Sequence, residues 1–323
     1  MTDIPATSTP TGPVARVLPP LLRPWLGAVL ISFSGVWVRL ADVEVARSAF
    51  LRGAYALPVL AVLVAVARRR APDPRVVRWV LPWALAGGVL LGIDLVAWHA
   101  AIEIVGAGLG TVLPNMQVVF VGLAGVLIFR ERPAAGFWVA LPIVLGGMWI
   151  LSVVGQPVVV DGSVPLGVFY GVVAAVTYAA ALVLLRVSRG RQPAAPSVAF
   201  LFSLTVGATA IMGAAAAGQG VAAPAGWPAD GWLLLLALGS QVVGWLLVTS
   251  SIHLLPAAAT SVALLLQPVL ALVWGRVLLD EPLGLPQVAG ATVVLLGVAM
   301  AHRAIAGTRV ATPAAAAPPP AGA

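Results

Sequence analysis

GIDLVAWHAAIEIVGAGLGTVLPNMQVVFVGLAGVLIFRERP, residues 92–133, decides the fold. It holds the tail of one apolar segment, a connection of a few residues, and a second apolar segment ending in Arg130-Glu131-Arg132-Pro133. Asp94, Trp98, His99, Asn115 and Gln117 dot an otherwise greasy run. Shifting the numbering by 150 brings Gln117 onto Gln267, Gly125 onto Gly275, Glu131 onto Glu281 and Gly147 onto Gly297, with no gap between. The chain is a duplication that has kept its register.

Composition names the solvent. The 323 residues are 61% hydrophobic and 9% charged, with a mean hydropathy of +1.04, whereas soluble domains are about a quarter charged. So little charge cannot cover a water-facing surface, and the outer solvent is the lipid bilayer. Cysteine is absent, which excludes disulfides, thiol catalysis and cysteine-ligated metals. The formal charge of +7 does not point to nucleic acid, because the basic residues, all arginine, sit between apolar segments and form no continuous basic face. Residues 1–22 are rich in Pro and Thr and lack a cleavable signal, so they are predicted to be a retained cytoplasmic tail. Residues 307–323 are an Ala/Pro low-complexity tail predicted to be disordered.

A span needs about 20 apolar residues to cross roughly 30 Å. Ten fit, at 24–41, 47–67, 80–101, 107–129, 136–154, 165–187, 197–217, 231–250, 256–278 and 286–305. With both termini cytoplasmic, 14 of the 18 arginines fall on the inner side: Arg16, Arg23, Arg68 to Arg70, Arg75, Arg78, Arg130, Arg132, Arg186, Arg189, Arg191, Arg303 and Arg309. The outer side carries Asp42, Glu44, Glu103, Asp161, Asp230, Asp280 and Glu281. That asymmetry holds from loop to loop and supports both the count of ten and the cytoplasmic termini. The expectation is an all-α membrane protein of ten transmembrane helices, built as two five-helix repeats, 24–154 and 165–305. Five is odd, so the repeats insert with opposite orientation, and Glu131 and Glu281 mark opposite faces. Inverted repeats about a shared midplane site are a transporter architecture.

FLRGAYALP in span two, the Gly-rich start of span four, the Glu-Arg-Pro that follows it, and the fainter echo LQPVLALVWGRVLLDEP in span nine resemble the EamA family of the drug/metabolite transporter superfamily. The likeness runs over about residues 24–305. It implies two five-helix bundles around a central cavity in the cell (inner) membrane, and transport of a small metabolite, amino acid or drug, with efflux the favoured direction. The duplication is uneven: Arg52 has no arginine counterpart in span seven, and Asp94 falls in register with Gly244.

Among candidate site residues, Asp94 is the most costly to insert, at roughly 2.5–3.5 kcal/mol for a mid-helix charge. Arg52 is its expected partner, since the two lie at depths differing by only about 3 Å. That pair is either a coupling or solute-sensing site or a static link between two helices. Trp98 shares a helix face with Asp94, whereas His99 points elsewhere and reads as packing. Gln117 and Gln267 are the repeat-related pair near midplane. Pro114 and Pro268 beside them break the backbone ladder and free carbonyls there. Asn115 points away from Gln117. Ser32, Ser34 and Trp37 in span one, Tyr170, Thr177 and Tyr178 in span six, and Gln241 and Trp245 in span eight complete the candidate lining. Gly106, Gly108 and Gly110 read as packing, Trp25, Trp79 and Trp232 as interfacial anchors, and Arg276 with Asp280 as a local pair.

No phosphate-binding loop, metal-ligand cluster or nucleophile elbow is present, so neither cofactor nor metal is expected and the chain does not read as an enzyme. The expected partners are a small solute and the bilayer, with no nucleic acid. Two alternatives stand beside transport: a membrane enzyme acting on a lipid carrier, and a non-transporting partner subunit.

Overall fold

A computed structural model describes residues 18–78, 81–154, 163–192 and 194–306, with backbone alone for 106–111 and 306. Residues 1–17 of the N-terminal tail, the tail 307–323, Trp79 and Asp161 lie outside the described residues.

Among those residues, nine stretches are long and apolar enough to cross a bilayer: Leu22–Ala41, Val45–Arg70, Pro82–Val105, Ala135–Ser152, Val164–Arg191, Ser197–Gly218, Ala229–Ser251, Ala257–Leu279 and Leu285–Ile305. The shorter Val112–Leu127 is the tenth. The helices are α1 (Leu22–Ser32), α2 (Ser34–Ala41), α3 (Val45–Arg70), α4 (Pro82–Asn115), α5 (Gln117–Leu127), α6 (Ala135–Ser152) and α7 (Val164–Arg191). They continue with α8 (Ser197–Gly218), α9 (Ala229–Leu235), a π-helical segment (Leu236–Gly244), α10 (Trp245–Ser251), α11 (Ala257–Leu264), α12 (Leu266–Leu279) and α13 (Leu285–Ala306). Large apolar side chains face outward along the bundle, and the repeat-related Leu127 and Val277 are 78% and 64% exposed. A chain with so much apolar surface is a multi-pass membrane protein.

The connection expected between spans three and four is replaced by helical backbone. The 34 residues of α4 would reach about 51 Å if straight, far beyond the hydrocarbon core. They are not straight. Gly87 packs on Ala181 and Leu184, Val105 on Gly167, then Leu113 on Gly171, and Phe129 lies beside Arg186. Contacts along α7 therefore descend and then climb, so the chain reverses between Val105 and Leu113. The two arms of α4 belong to spans three and four.

Four spans are interrupted within their length. Span one breaks at Phe33 between α1 and α2. Span four breaks at Met116, whose N–H donates to the Leu113 carbonyl at 3.0 Å, and span nine at Leu265, whose N–H donates to Val262 at 3.2 Å. Those two breaks match within one residue after the shift of 150, and Pro114 and Pro268 flank them. Span eight carries the π segment instead.

The repeat is visible in the backbone. Arg130 and Asp280 both take left-handed φ values of 53°. The next residue folds back in each case, Glu131 N–H onto the Gly125 carbonyl (2.9 Å) and Glu281 N–H onto Gly275 (3.1 Å). The repeats meet where α6 crosses α13. A Cβ on Gly147 would fall 2.7 Å from the Val294 nitrogen, and one on Gly297 would fall 3.1 Å from the Val144 nitrogen. Val144 and Val294 are themselves 150 apart, so one contact is the other with the repeats exchanged. Residue numbers run oppositely along the crossing, 144 against 297 and 147 against 294, as inversion requires. Only glycine lets two backbones approach this closely. The buried core has two large clusters and a small third one around Leu51, Leu233 and Leu236. One large cluster is built on spans three, six, seven and eight around Leu91, Leu182, Phe200 and Trp245. The other is built on spans five, nine and ten around Phe137, Met148, Leu265 and Val294.

Candidate functional site

Arg52 lies two turns into α3, and burying it requires acceptors. The second repeat supplies them. Its Nε donates to Gln241 Oε1 (2.9 Å) and its Nη2 to Ser240 Oγ (3.1 Å). Ser34 Oγ also donates to Ser240 Oγ (2.9 Å), and Gln241 Nε2 donates to Thr205 Oγ1 (3.0 Å). Ser240 and Gln241 sit in the π segment, whose wider turn brings neighbouring side chains less than the usual 100° apart. One guanidinium can therefore engage both. Ser240, Gln241 and Thr205 are at most 5% exposed and Ser34 and Arg52 are half-buried, so the chain Ser34–Ser240–Arg52–Gln241–Thr205 is a sheltered polar link between the repeats. Arg52 Nη1 takes no part in it.

Asp94 is not the partner of Arg52, contrary to the reading from depth. No ion pair joins them among the described residues, and the Asp94 carboxylate receives no hydrogen bond although the residue is only 6% exposed. Tyr178 on α7 lies within electrostatic reach of both charges. The direction of the side chain around the helix decides the outcome: Arg52 faces span eight. Thr209, packed against Gly53 beside Arg52, also leaves its hydroxyl without a partner. Gln117 is 2% exposed with an unpaired Oε1, whereas Gln267 is only partly buried. Asn115 lies two residues before Gln117 and is half-buried.

The aromatic candidates separate. Trp98 packs on His99 with ring centroids 4.9 Å apart, and Trp245 is part of the apolar core. Trp37 stacks on Phe33, which stacks on Trp274 (4.3 Å, 17°), and Trp274 Nε1 donates to Ser32 Oγ at 2.9 Å. This ladder borders a groove of about 420 Å³ lined by Leu30, Phe33, Val36, Trp37, Leu40, Trp232 and Leu278. Trp274, Ser240 and Thr205 were not singled out from the sequence. Trp274 sits within the span-nine echo, and Ser240 adjoins Gln241. Both are polar-capable groups in apolar runs, which was the only signal on offer. Tyr170 and Thr177 remain on α7, where the Thr177 hydroxyl bonds its own helix at Val173.

The two ends of the bundle differ. At the Glu281 end, Arg39 reaches Glu281 at 3.6 Å with side chains 72% and 44% exposed. Arg276 and Asp280 pair locally, as expected, at 3.6 Å. At the Glu131 end the contacts are shorter and sheltered. Arg186 Nη2 donates to Glu131 Oε1 at 2.6 Å, with side chains 16% and 18% exposed. Both Glu131 oxygens accept from the Ala257 N–H that opens α11 (3.3 and 3.0 Å), and the Arg186 guanidinium lies 4.2 Å over the Phe129 ring. Only a void of about 10 Å³ remains there, between Val121, Phe129, Leu182, Arg186 and Thr260. Behind it, Arg189 donates to His253 Nδ1 (3.3 Å) and to the Ala195 carbonyl (2.7 Å). Burial first, then the positive charges of Arg189, Arg23 and Arg186, pushes the His253 imidazole down to about 4. The sequence made Glu131 a marker of membrane side. In the structure it also joins the two repeats.

Comparison with known proteins agrees with this architecture. The model of the EamA-like transporter family matches residues 25–153 and again 165–302, the same two units that the shift of 150 relates. No curated protein matches. One solved crystal structure, described only as that of a protein, covers 89% of this chain and 97% of its own with a TM-score of 0.70 and 14% identity. At that identity the likeness speaks to fold alone. Two matches covering most of the chain, on an inverted pair of five-helix units, place this protein in the EamA-like transporter family.

Proposed function

We propose that the chain is a secondary exporter of a small organic solute, working by alternating access across the cell (inner) membrane with both termini in the cytoplasm. Membership of the family supports a membrane transporter of small solutes. The finer reading rests on one observation: Tyr178 of the second repeat lies within electrostatic reach of Arg52 and Asp94 of the first, and neither charge is fully partnered. Among the described residues, no acceptor meets Arg52 Nη1 while Gln241 and Ser240 hold the guanidinium in place, and no donor meets the buried Asp94 carboxylate. Unsatisfied charge inside a membrane protein is expensive and is retained where a solute or proton supplies the partner. A solute bearing an acidic group would take Arg52, Asp94 would take a proton or a cationic group, and Gln117 and Tyr178 would set its orientation. The placement of 14 arginines on one side favours the Glu131 end as cytoplasmic.

Counterflow in liposomes against a metabolite panel tests the reading. The protein should exchange at least one small solute, and Asp94→Asn should abolish the response to an imposed pH gradient while leaving exchange measurable. Asp94→Asn transport that follows the gradient as the parent does would remove Asp94 from coupling. No counterflow with any panel member, in either direction, would favour a partner subunit or an enzyme.

A further inference from the structure

We propose that Glu131 is a releasable lock between the repeats, and that the sequence of span one makes its counterpart at the other end weaker. The proposal builds on the alternating-access reading.

Glu131 belongs to the first repeat, and among the described residues the ion-pair and hydrogen-bond partners of its carboxylate belong to the second. It bridges Arg186 on α7 and the first N–H of α11, and Phe129 from its own repeat covers the other face of the Arg186 guanidinium. A carboxylate at a helix N-terminus meets unsatisfied N–H groups and the positive end of the dipole, and its forked partner is charge-assisted. These contacts close their end of the bundle. Thr260, one turn into α11, is 1% exposed, lines the small void beneath the lock and has no partner for its hydroxyl. Arg186 Nη1 is also buried and unpaired. Both groups are poised for water or a passing solute once the carboxylate leaves.

Glu281 is held on the same backbone reversal, with the same 53° at the preceding residue. Its grip differs. The position equivalent to Arg186 in the first repeat is Val36, which is 5% exposed among apolar groups. The available arginine, Arg39, stands nearly one turn further on, in solvent, 3.6 Å from Glu281. Exposed pairs of that kind hold little. With one end sealed by a sheltered pair and the other joined by an exposed one, the protein rests closed at the Glu131 end.

The chain has no cysteine, so a single introduced thiol reports accessibility directly. Thr260→Cys is placed in the full-length protein in lipid nanodiscs, and its rate of reaction with a water-soluble maleimide is measured. The reaction is expected to be slow in the parent background and at least tenfold faster with Glu131→Gln, with little change for Glu281→Gln. Arg186→Lys, which keeps the charge but loses the planar guanidinium and its stack on Phe129, should fall between. Each variant is first checked for monodisperse elution, and if Glu131→Gln fails that check the Arg186→Lys rate decides. A Thr260→Cys rate unchanged by Glu131→Gln and by Arg186→Lys in monodisperse protein overturns the lock, as would equal acceleration by Glu281→Gln. The readout needs no solute, so a lock that opens in a protein showing no counterflow would leave this inference standing while sinking the transport reading.

Discussion

The two ends of the bundle were made from one ancestral unit and now behave differently. Glu131 is sheltered and makes three short contacts, whereas Glu281 is half in solvent and makes one long one. Backbone geometry is not the cause, since both reversals share their φ value and their fold-back onto a glycine carbonyl. The difference lies in what the first helix of the opposite repeat presents: Arg186 in one case, Val36 in the other. Duplication fixed the scaffold, and single side chains then set which end is held shut.

The comparison can first be broken at its symmetric part. If α6 and α13 cross on the axis relating the repeats, Gly147→Leu and Gly297→Leu should do equal harm. Each drives a side chain into backbone at 2.7–3.1 Å, and overpacking of this kind costs about 1–3 kcal/mol or more. Thermal unfolding followed by tryptophan fluorescence should show comparable lowering for both, and a large inequality would mean that the crossing does not lie on the axis. Next in size is Arg52→Ala. Loss of a charge-assisted bond is worth about 1.5–3 kcal/mol, so counterflow should fall roughly ten- to a hundredfold, with elution unchanged if the link serves the solute more than the fold.

The smallest expected effect is on pH, and it should be confined to one end. The His253 imidazole is held down to about 4 by burial and by Arg189, Arg23 and Arg186, against an ordinary value near 6.5. The closed arrangement therefore refuses a proton that a freed imidazole accepts. Closure is at full strength above about pH 6.5 and weakens as pH falls toward about 4. The Thr260→Cys labelling rate should rise across that window, and His253→Gln should flatten the profile.

Much of this was legible in the residues, for identifiable reasons. Lipid demands length and hydrophobicity, so the spans announced themselves, and an unbroken shift of 150 disclosed the inversion. Pro114 and Pro268 marked two helix breaks because a missing N–H has a local consequence. Phe33 gave no such warning. Asp94 and Arg52 were matched by depth, which sequence provides, but a pair also needs a shared direction, which follows from how α3 packs on span eight. Glu131 was read as a marker of sidedness because Arg186, 55 residues on, becomes its partner only after the repeats dock. The turn from span three into span four was expected as a separate connection, and the chain makes it in helical conformation.

The crossing of Gly147 with Val294 and of Gly297 with Val144 has a consequence for any attempt to trap the protein. A contact that maps onto itself when the repeats are exchanged is unchanged when the open end becomes the closed one. It behaves as the fulcrum of a balance, bearing load in both positions and recording neither. A ligand or crosslink seated there would bind both access states equally and could shift no population between them. Reagents meant to freeze one state belong at the pans, where Glu131 and Glu281 have ceased to be equivalent.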